Sequence, residues 1–289
     1  MPRLNWLFSS IACAGILTTS ALSVRSQALL PYTPQIDSEK LEQQGLQLLQ
    51  DAVQLIKFQQ YDLALPRAEL ATQLAPENYE VWFILGSLYL QQEQIEDGIQ
   101  VLEQAENLAP EEENILFVLG NAYFRQGDYP TALEKLEAGL KIEDNAPEAL
   151  FDLGNTYLKL EKLNKAIDSY EKAFEQETSF WPAINNVGLV EYEQGNVEDA
   201  INKWETALEI DGEQAEPKLA LAVALYNQGE QQKGIELATS ALETDNRYGD
   251  IQFLKDNLWG DRLIEDTQTL LSIPQIQAIF TSVDAETTE

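Results

Sequence analysis

The sequence predicts an all-α chain folded as a solenoid of paired helices, and three observations predict it. Small residues recur at a step of 34: Ala52, Gly86, Gly120, Gly154, Gly188 and Ala222 in one series, Ala64, Gly98, Ala132, Ala166, Ala200 and Gly234 in a second, and Ala71, Ala105, Gly139, Ala173, Ala207 and Ala241 in a third. Large residues hold fixed phases between them, Tyr89, Tyr123 and Tyr157 in one row and Leu102, Leu136, Tyr170 and Trp204 in another. Within a unit the apolar residues keep helical spacing, as in Trp82, Leu85 and Tyr89, then Ile99, Leu102 and Ala105. Two closely packed antiparallel helices need small residues where their axes cross, because a larger side chain would push them apart. The large residues then fill the holes alongside.

Taken in chain order, residues 1–28 hold Arg3 and Arg25 but no acid, with an uncharged run between them that includes Trp6, Leu7, Phe8, Ile11, Ile16, Leu17 and Leu22. This leader fits two readings. A secretory signal needs a basic start, an apolar middle and small residues at the cut, which Ser26-Gln27-Ala28 supplies. An uncleaved membrane anchor needs about 20 residues to cross the hydrocarbon core, and the run nearly reaches that. Both readings keep Arg3 on the cytoplasmic side and send the rest across, so the chain is expected to be membrane-associated or exported, in thylakoid, plasma membrane or periplasm, and not free in the cytoplasm. Residues 29–38, with Pro31 and Pro34, read as an extended linker.

The solenoid spans 39–246, opening with a helix from Ser38 to Phe58 and repeating about six times from Gly45. Gly127, Gly195 and Gly229 mark breaks where a left-handed residue ends a helix. Pro147, Pro182 and Pro217 sit in first turns, where a missing N–H removes no bond. Residues 247–289 form a cap: a helix around Ile251 to Leu258, a second after Asp261, and an acidic tail from Ser282. The cap is expected to cover Leu221, Leu225 and Leu237 on the outward side of the sixth unit, because an open solenoid end is an aggregation surface.

The segments Trp82-Phe83-Ile84-Leu85-Gly86-Ser87-Leu88-Tyr89 and Phe151-Asp152-Leu153-Gly154-Asn155-Thr156-Tyr157 resemble the signature of the tetratricopeptide-repeat family. The resemblance implies a right-handed superhelical solenoid of helix-turn-helix repeats with a C-terminal helical cap. A narrower resemblance, carried by the leader, Leu30-Pro31-Tyr32-Thr33-Pro34-Gln35 and Asn257-Leu258-Trp259-Gly260-Asp261-Arg262, is to cyanobacterial membrane-associated proteins of this family, including the thylakoid type that interacts with protochlorophyllide oxidoreductase. It implies a role in pigment or photosystem biogenesis.

In this family the first helices of the pairs line a concave surface that holds a peptide or a partner helix. The rows expected to face it contain Phe83, Phe117, Phe151 and Asn185, then Asn121 and Asn155, then Phe124, Tyr192 and Tyr226. Aromatics give apolar anchors, and asparagine amides can pair with an extended backbone. Phe117 and Phe151 are expected to stand on the open surface, whereas Tyr123 and Tyr157 pack between helices. Aromatic residues at these phases also arise as plain family packing. Family members that clamp a terminal carboxylate use lysine or arginine in these rows, and here only Arg125 and Lys159 lie nearby, so carboxylate-tail recognition is not expected.

Composition removes several functions. Outside the leader 16 basic residues face 49 acidic ones, a balance of −33 that repels phosphate backbones, so no nucleic-acid partner is expected. There is no histidine, and the single cysteine, Cys13, lies in the leader. The commonest general base, metal ligand and thiol nucleophile are therefore missing downstream, and neither a cofactor nor a metal is expected. Acidic runs such as Glu111-Glu112-Glu113 read as solvated helix starts, and the helix dipole accounts for Glu77, Glu80, Glu148 and Glu216. The sequence thus predicts a protein-interaction scaffold or assembly factor for membrane or exported proteins, without enzymatic activity. The alternatives are a cell-envelope adaptor that presents substrates to an outer-membrane or protease machine, and a carboxylate-based enzyme.

Overall fold

Twelve helices run in six antiparallel pairs through residues 38–244 of the protein, a computed structural model that describes residues 37–279. The leader, nearly all of the linker and the acidic tail lie outside the described residues. The first pair is α1 (Ser38–Lys57) and α2 (Tyr61–Leu74), followed by α3 (Tyr79–Gln91) and α4 (Ile95–Leu108), then α5 (Glu113–Gln126) and α6 (Tyr129–Ile142). The second half holds α7 (Pro147–Lys159) and α8 (Leu163–Gln176), α9 (Trp181–Gln194) and α10 (Val197–Ile210), α11 (Ala215–Asn227) and α12 (Gln231–Thr244). A 3₁₀ turn at Asn246–Gly249 leads into α13 (Ile251–Asp256) and α14 (Asp261–Leu271). Each helix packs on its partner, each second helix also packs on the first helix of the next pair, and α1, α3, α5 and α7 touch in sequence, so the first helices of the pairs lie on one side as an inner layer that is continuous over α1–α7. Among the described residues no helix is long and apolar enough to cross a membrane.

The small-residue series works as the sequence predicts. A Cβ on Gly86 would lie 2.6 Å from Leu102 Cγ, and one on Gly120 would lie 2.6 Å from Leu136 Cγ. The same crossing sets Gly154 against Tyr170 and Gly188 against Trp204. Leu102, Leu136, Tyr170 and Trp204 are fully buried. Neighbouring units are tied on the side by a repeated bond from an odd helix back to the preceding even one. Tyr123 Oη donates to Glu103 Oε1 at 2.6 Å and Tyr157 Oη to Glu137 Oε1 at 2.6 Å, with Tyr89 reaching Glu69 at 3.3 Å. Burial, together with the bonded carboxylate, raises the Tyr157 phenol to about 12. Tyr157 packs between helices as expected, but Tyr123 is only half-buried and is held chiefly at its hydroxyl.

The breaks between the helices of each pair share one backbone conformation. Gln59, Glu93, Gly127, Glu161, Gly195 and Gly229 stand 34 residues apart and have φ of 57, 61, 90, 57, 89 and 97°. Three of the six are the glycines that the sequence marks; the other three put a Cβ into the left-handed region. A left-handed L-residue costs roughly 1–2 kcal/mol, of which glycine returns part as greater freedom in the unfolded chain. Glu93→Gly and Glu161→Gly are therefore each expected to stabilise by about 0.5–1 kcal/mol. Thermal melts of the single variants and the pair check this, and the prediction fails if the pair melts at or below the wild type.

Candidate functional site

The inner layer carries three hollows in a row. The first, of about 340 Å³, has Leu49 and Val53 of α1, Phe83 and Ile84 of α3, and Asn114 and Ile115 of α5 around it, with Glu80 and Glu112 at its rim. The second, of about 510 Å³, shares Asn114 and adds Phe117, Val118 and Asn121 of α5, the loop 143–146, and Glu148 and Asp152 of α7. The third, of about 240 Å³, lies among Phe124, Phe151, Asn155, Asn186, Glu216 and the chain segment Asp256–Leu258. None of the residues lining these hollows is basic.

The rings are only partly free. Phe83 and Phe117 each show one side to a hollow and are half-buried on the other. Phe117 rests over Gly139 of α6, where a Cβ would fall 2.5 Å from its ring, so glycine in that otherwise alanine-rich series makes the space for it. Phe151 packs on Tyr170, with centroids 5.6 Å apart, and edge-on to Phe180 at 5.4 Å. The expectation that Phe117 and Phe151 stand on open surface is thus corrected: both are wedged into the helix pairs, and removing either would open a cavity. Phe124 leans on Tyr129 at 5.4 Å and walls the third hollow.

Two of the expected groove asparagines are structural instead. Tyr170 Oη donates to Asn155 Oδ1 at 2.7 Å, and Asn186 Nδ2 donates to the same oxygen at 3.2 Å. Asn185 Nδ2 donates to Asn186 Oδ1 at 3.2 Å, and Trp204 Nε1 to the Asn185 carbonyl at 3.2 Å. Asn185 is fully buried and offers no amide to a ligand, and Asn155, 8% exposed at the edge of the third hollow, has its Oδ1 taken up by these bonds. The physical reason is that the residue filling the glycine crossing changes from Leu102 and Leu136 to Tyr170 and Trp204. Their polar tips reach through the inner layer and need partners there. That change was visible in the sequence as the signal for a buried polar cluster. Asn121 differs: it is half-exposed at the second hollow and donates from Nδ2 to Asp152 Oδ2 at 3.0 Å.

Tyr192 falls under the cap, and Tyr226 borders the core that the cap completes. The α14 helix packs against α9 and α11, on the same inner layer that carries the hollows. Tyr192 is 1% exposed; its hydroxyl donates to Asp266 Oδ2 at 2.6 Å, and the Arg262 guanidinium sits 5.0 Å from its ring centre. Glu193 caps the start of α14 by accepting from the Leu263 and Arg262 N–H groups at 2.9 and 3.1 Å. Tyr226 is half-buried against the same core, which joins Leu221 and Leu225 to Leu254, Trp259, Leu263, Ile264 and Leu270. The core that the cap completes buries Leu221 and Leu225, whereas Leu237 is only partly buried against it, and α14 lies over the first helices of the last two units.

Two carboxyl groups not chosen from the sequence as site residues stand out. Asp152 is pushed up to about 6 by burial, partly offset by the Asn121 bond and helped by nearby Glu148. Glu216 is raised to about 7 by burial, against hydrogen bonds from Trp259 and Asn185; Trp259 Nε1 donates to its Oε1 at 2.9 Å. Position in the first turn of α11 explains Glu216 only in part, since the cap tryptophan holds it. Among the described residues no group of three or more His, Cys, Asp or Glu side chains is placed to hold a metal ion.

Models of the repeat itself match this architecture. The model described as TPR repeat matches residues 86–127, 120–161 and 188–229, and that described as tetratricopeptide repeat matches 147–177. Tetratricopeptide repeats are thus detected over residues 86–177 and 188–229. A further model, described as ChAPs (Chs5p-Arf1p-binding proteins), matches residues 33–104. Among solved structures, MamA is similar at 21% identity and a TM-score of 0.52, covering 57% of this chain and 96% of that one. The protein YrrB, described as a TPR protein with an unusual peptide-binding site, matches at 19% identity and a TM-score of 0.54, covering 66% and 95%. The pilF protein of Pseudomonas aeruginosa matches at 15% identity and a TM-score of 0.62, covering 76% and 98%. At these identities the likeness is one of fold. No curated protein matches the sequence. The matches stop at the repeat and do not support the narrower photosynthetic-membrane resemblance.

The raised carboxyl of Glu216 makes stability depend on pH. Folding lifts it above its ordinary value, so its contribution is fully present below about 4.5 and is lost as pH rises through about 7. Asp152 acts with the same sign up to about 6. The groups facing Glu216 are Trp259, Asn185, Tyr170 and Tyr248, with Asp256 on the same hollow. Glu216→Gln keeps the acceptor for Trp259 without the charge. It is expected to match the wild type at pH 5 and to be more stable by about 2 kcal/mol at pH 8. Parallel pH profiles of melting for the two proteins would refute this.

Proposed function

We propose that this tetratricopeptide-repeat protein is a scaffold that holds a segment of a partner protein in the inner groove over α1, α3, α5 and α7, and that it acts on membrane or exported proteins. The observation that carries the groove reading is the contrast between its two halves. Over α9 and α11 the chain covers its own inner layer with α14. Over α1–α7 that layer keeps apolar floors, at Leu49, Val53, Ile84 and Val118, beside polar rims. Such a surface suits an extended or helical segment, with side chains in the hollows and carboxamides on the backbone. The peptide-binding description of YrrB supports the same use of the fold. The lack of histidine and cysteine downstream of the leader supports a binding role over catalysis. The leader sequence supports the membrane or export setting.

A photoreactive side chain placed at Asn114, which is exposed and borders the first two hollows, is expected to yield a discrete cross-linked partner in cells. The same probe at Glu205, exposed on α10, should not. Peptide sequencing of the recovered chain also reads the leader: a start at Leu29 follows cleavage after Ala28, and a retained Met1 marks an anchor. Adducts formed only at Glu205, or equally at both positions, would contradict the groove reading.

A further inference from the structure

We propose that the segment held in this groove is cationic, and that Asp152 receives one of its lysine or arginine side chains across the second hollow from Phe117. The inference rests on the groove reading above and adds the chemistry of the occupant. The charged side chains that line the hollows over α1–α7 are all carboxylates, beside apolar floors and a few carboxamides, and no lysine or arginine lines them. An acidic segment would meet uncompensated like charge along the whole groove, and a neutral one would leave that charge desolvated and unpaired.

Asp152 is where the argument is sharpest. Its side chain is half-buried at the hollow, its Oδ2 accepts from Asn121, and among the described residues no basic side chain forms an ion pair with it. A carboxylate in a medium of reduced dielectric gains more from an incoming cation than one on open surface. Phe117 lines the same hollow and offers a ring to the aliphatic stem or the charge of that side chain. Glu113 and Glu148 at the rim raise the local concentration of cations, and the balance of −33 outside the leader steers them over a longer range. Leu49, Val53 and Ile84 in the adjoining hollow then suit an apolar residue next to the basic one. The occupant is thus a basic segment with interspersed apolar side chains.

The test uses the full chain and three labelled peptides of about 12 residues, long enough to extend past both hollows. One alternates leucine with lysine, and the others carry glutamate or glutamine in place of lysine. Binding is read by fluorescence anisotropy at about 0.15 M salt. The lysine peptide is expected to bind at least about 30-fold more tightly than the glutamate peptide. Asp152→Asn should weaken the lysine peptide about tenfold, whereas Glu134→Gln, the same charge change at an exposed site on α6, should change it less than about twofold. Asp152→Asn removes a half-buried charge and keeps an acceptor for Asn121, so a melting point at or above that of the wild type shows that it is folded. Equal effects of the two variants would reduce the binding to diffuse attraction and overturn the proposal. So would the absence of binding by the lysine peptide up to about 1 mM. Tight binding of the glutamine or glutamate peptide that is lost in Asn114→Trp would overturn the cationic occupant while leaving the groove standing.

Discussion

The close crossing of the two helices in each pair is the contact on which the rest of this structure depends. At Gly86, Gly120, Gly154 and Gly188 the first helix has no side chain, and a fully buried Leu102, Leu136, Tyr170 or Trp204 of the second helix occupies the space. Axes held this near let each pair stack on the next with the same offset, and the first helices then line up as one inner layer. A repeat cannot bury its own faces, so stability accumulates through such interfaces, unit against unit. The tyrosine–glutamate bonds between α2 and α3, α4 and α5, and α6 and α7 follow the same period and fix the rotation of each unit on its neighbour.

What fills the crossing also decides the character of the inner face. Where the filler is leucine, the inner layer above it is free to carry hollows with apolar floors. Where it is Tyr170 or Trp204, a polar tip enters the layer: Asn155 Oδ1 accepts from Tyr170 and is held by Asn186, and the Asn185 main-chain carbonyl accepts from Trp204. That polar cluster borders Glu216, which the cap residue Trp259 holds, and α14 closes the surface beyond it through Tyr192 and Glu193. The molecule is thereby divided along its length into an open half over α1–α7 and a self-covered half over α9 and α11. The binding surface proposed above is the half that the chain leaves uncovered.

The fold was legible because it rests on periods. The small-residue series, the proline positions and the glycine breaks are local facts repeated at 34 residues, and they located the helices of the pairs. The left-handed turns at Gln59, Glu93 and Glu161 were not marked, since side chains other than glycine disclose no φ. The site was legible only in part. Phe83, Phe117 and Asn121 do border the hollows, but phase alone could not tell a ring facing solvent from one wedged over Gly139 or against Tyr170. Tyr192 has the groove phase and lost its exposure to α14, a contact between residues some 70 positions apart that no repeat pattern encodes. Asp152 and Glu216 read as ordinary helix acids until the neighbours that desolvate them are in place.

If the glycine crossing governs the architecture, adding one methyl group there must be felt throughout the unit. The direct measurement is the thermal unfolding of Gly188→Ala beside that of Gly212→Ala. A Cβ on Gly188 would lie 2.5 Å from Trp204 Nε1, within a fully buried indole that has nowhere to move, whereas one on Gly212 meets only the Leu208 carbonyl at 3.4 Å. The account predicts that Gly188→Ala loses about 1–3 kcal/mol through overpacking and that Gly212→Ala stays within about 0.5 kcal/mol of the wild type. A Gly188→Ala protein as stable as the wild type would contradict it.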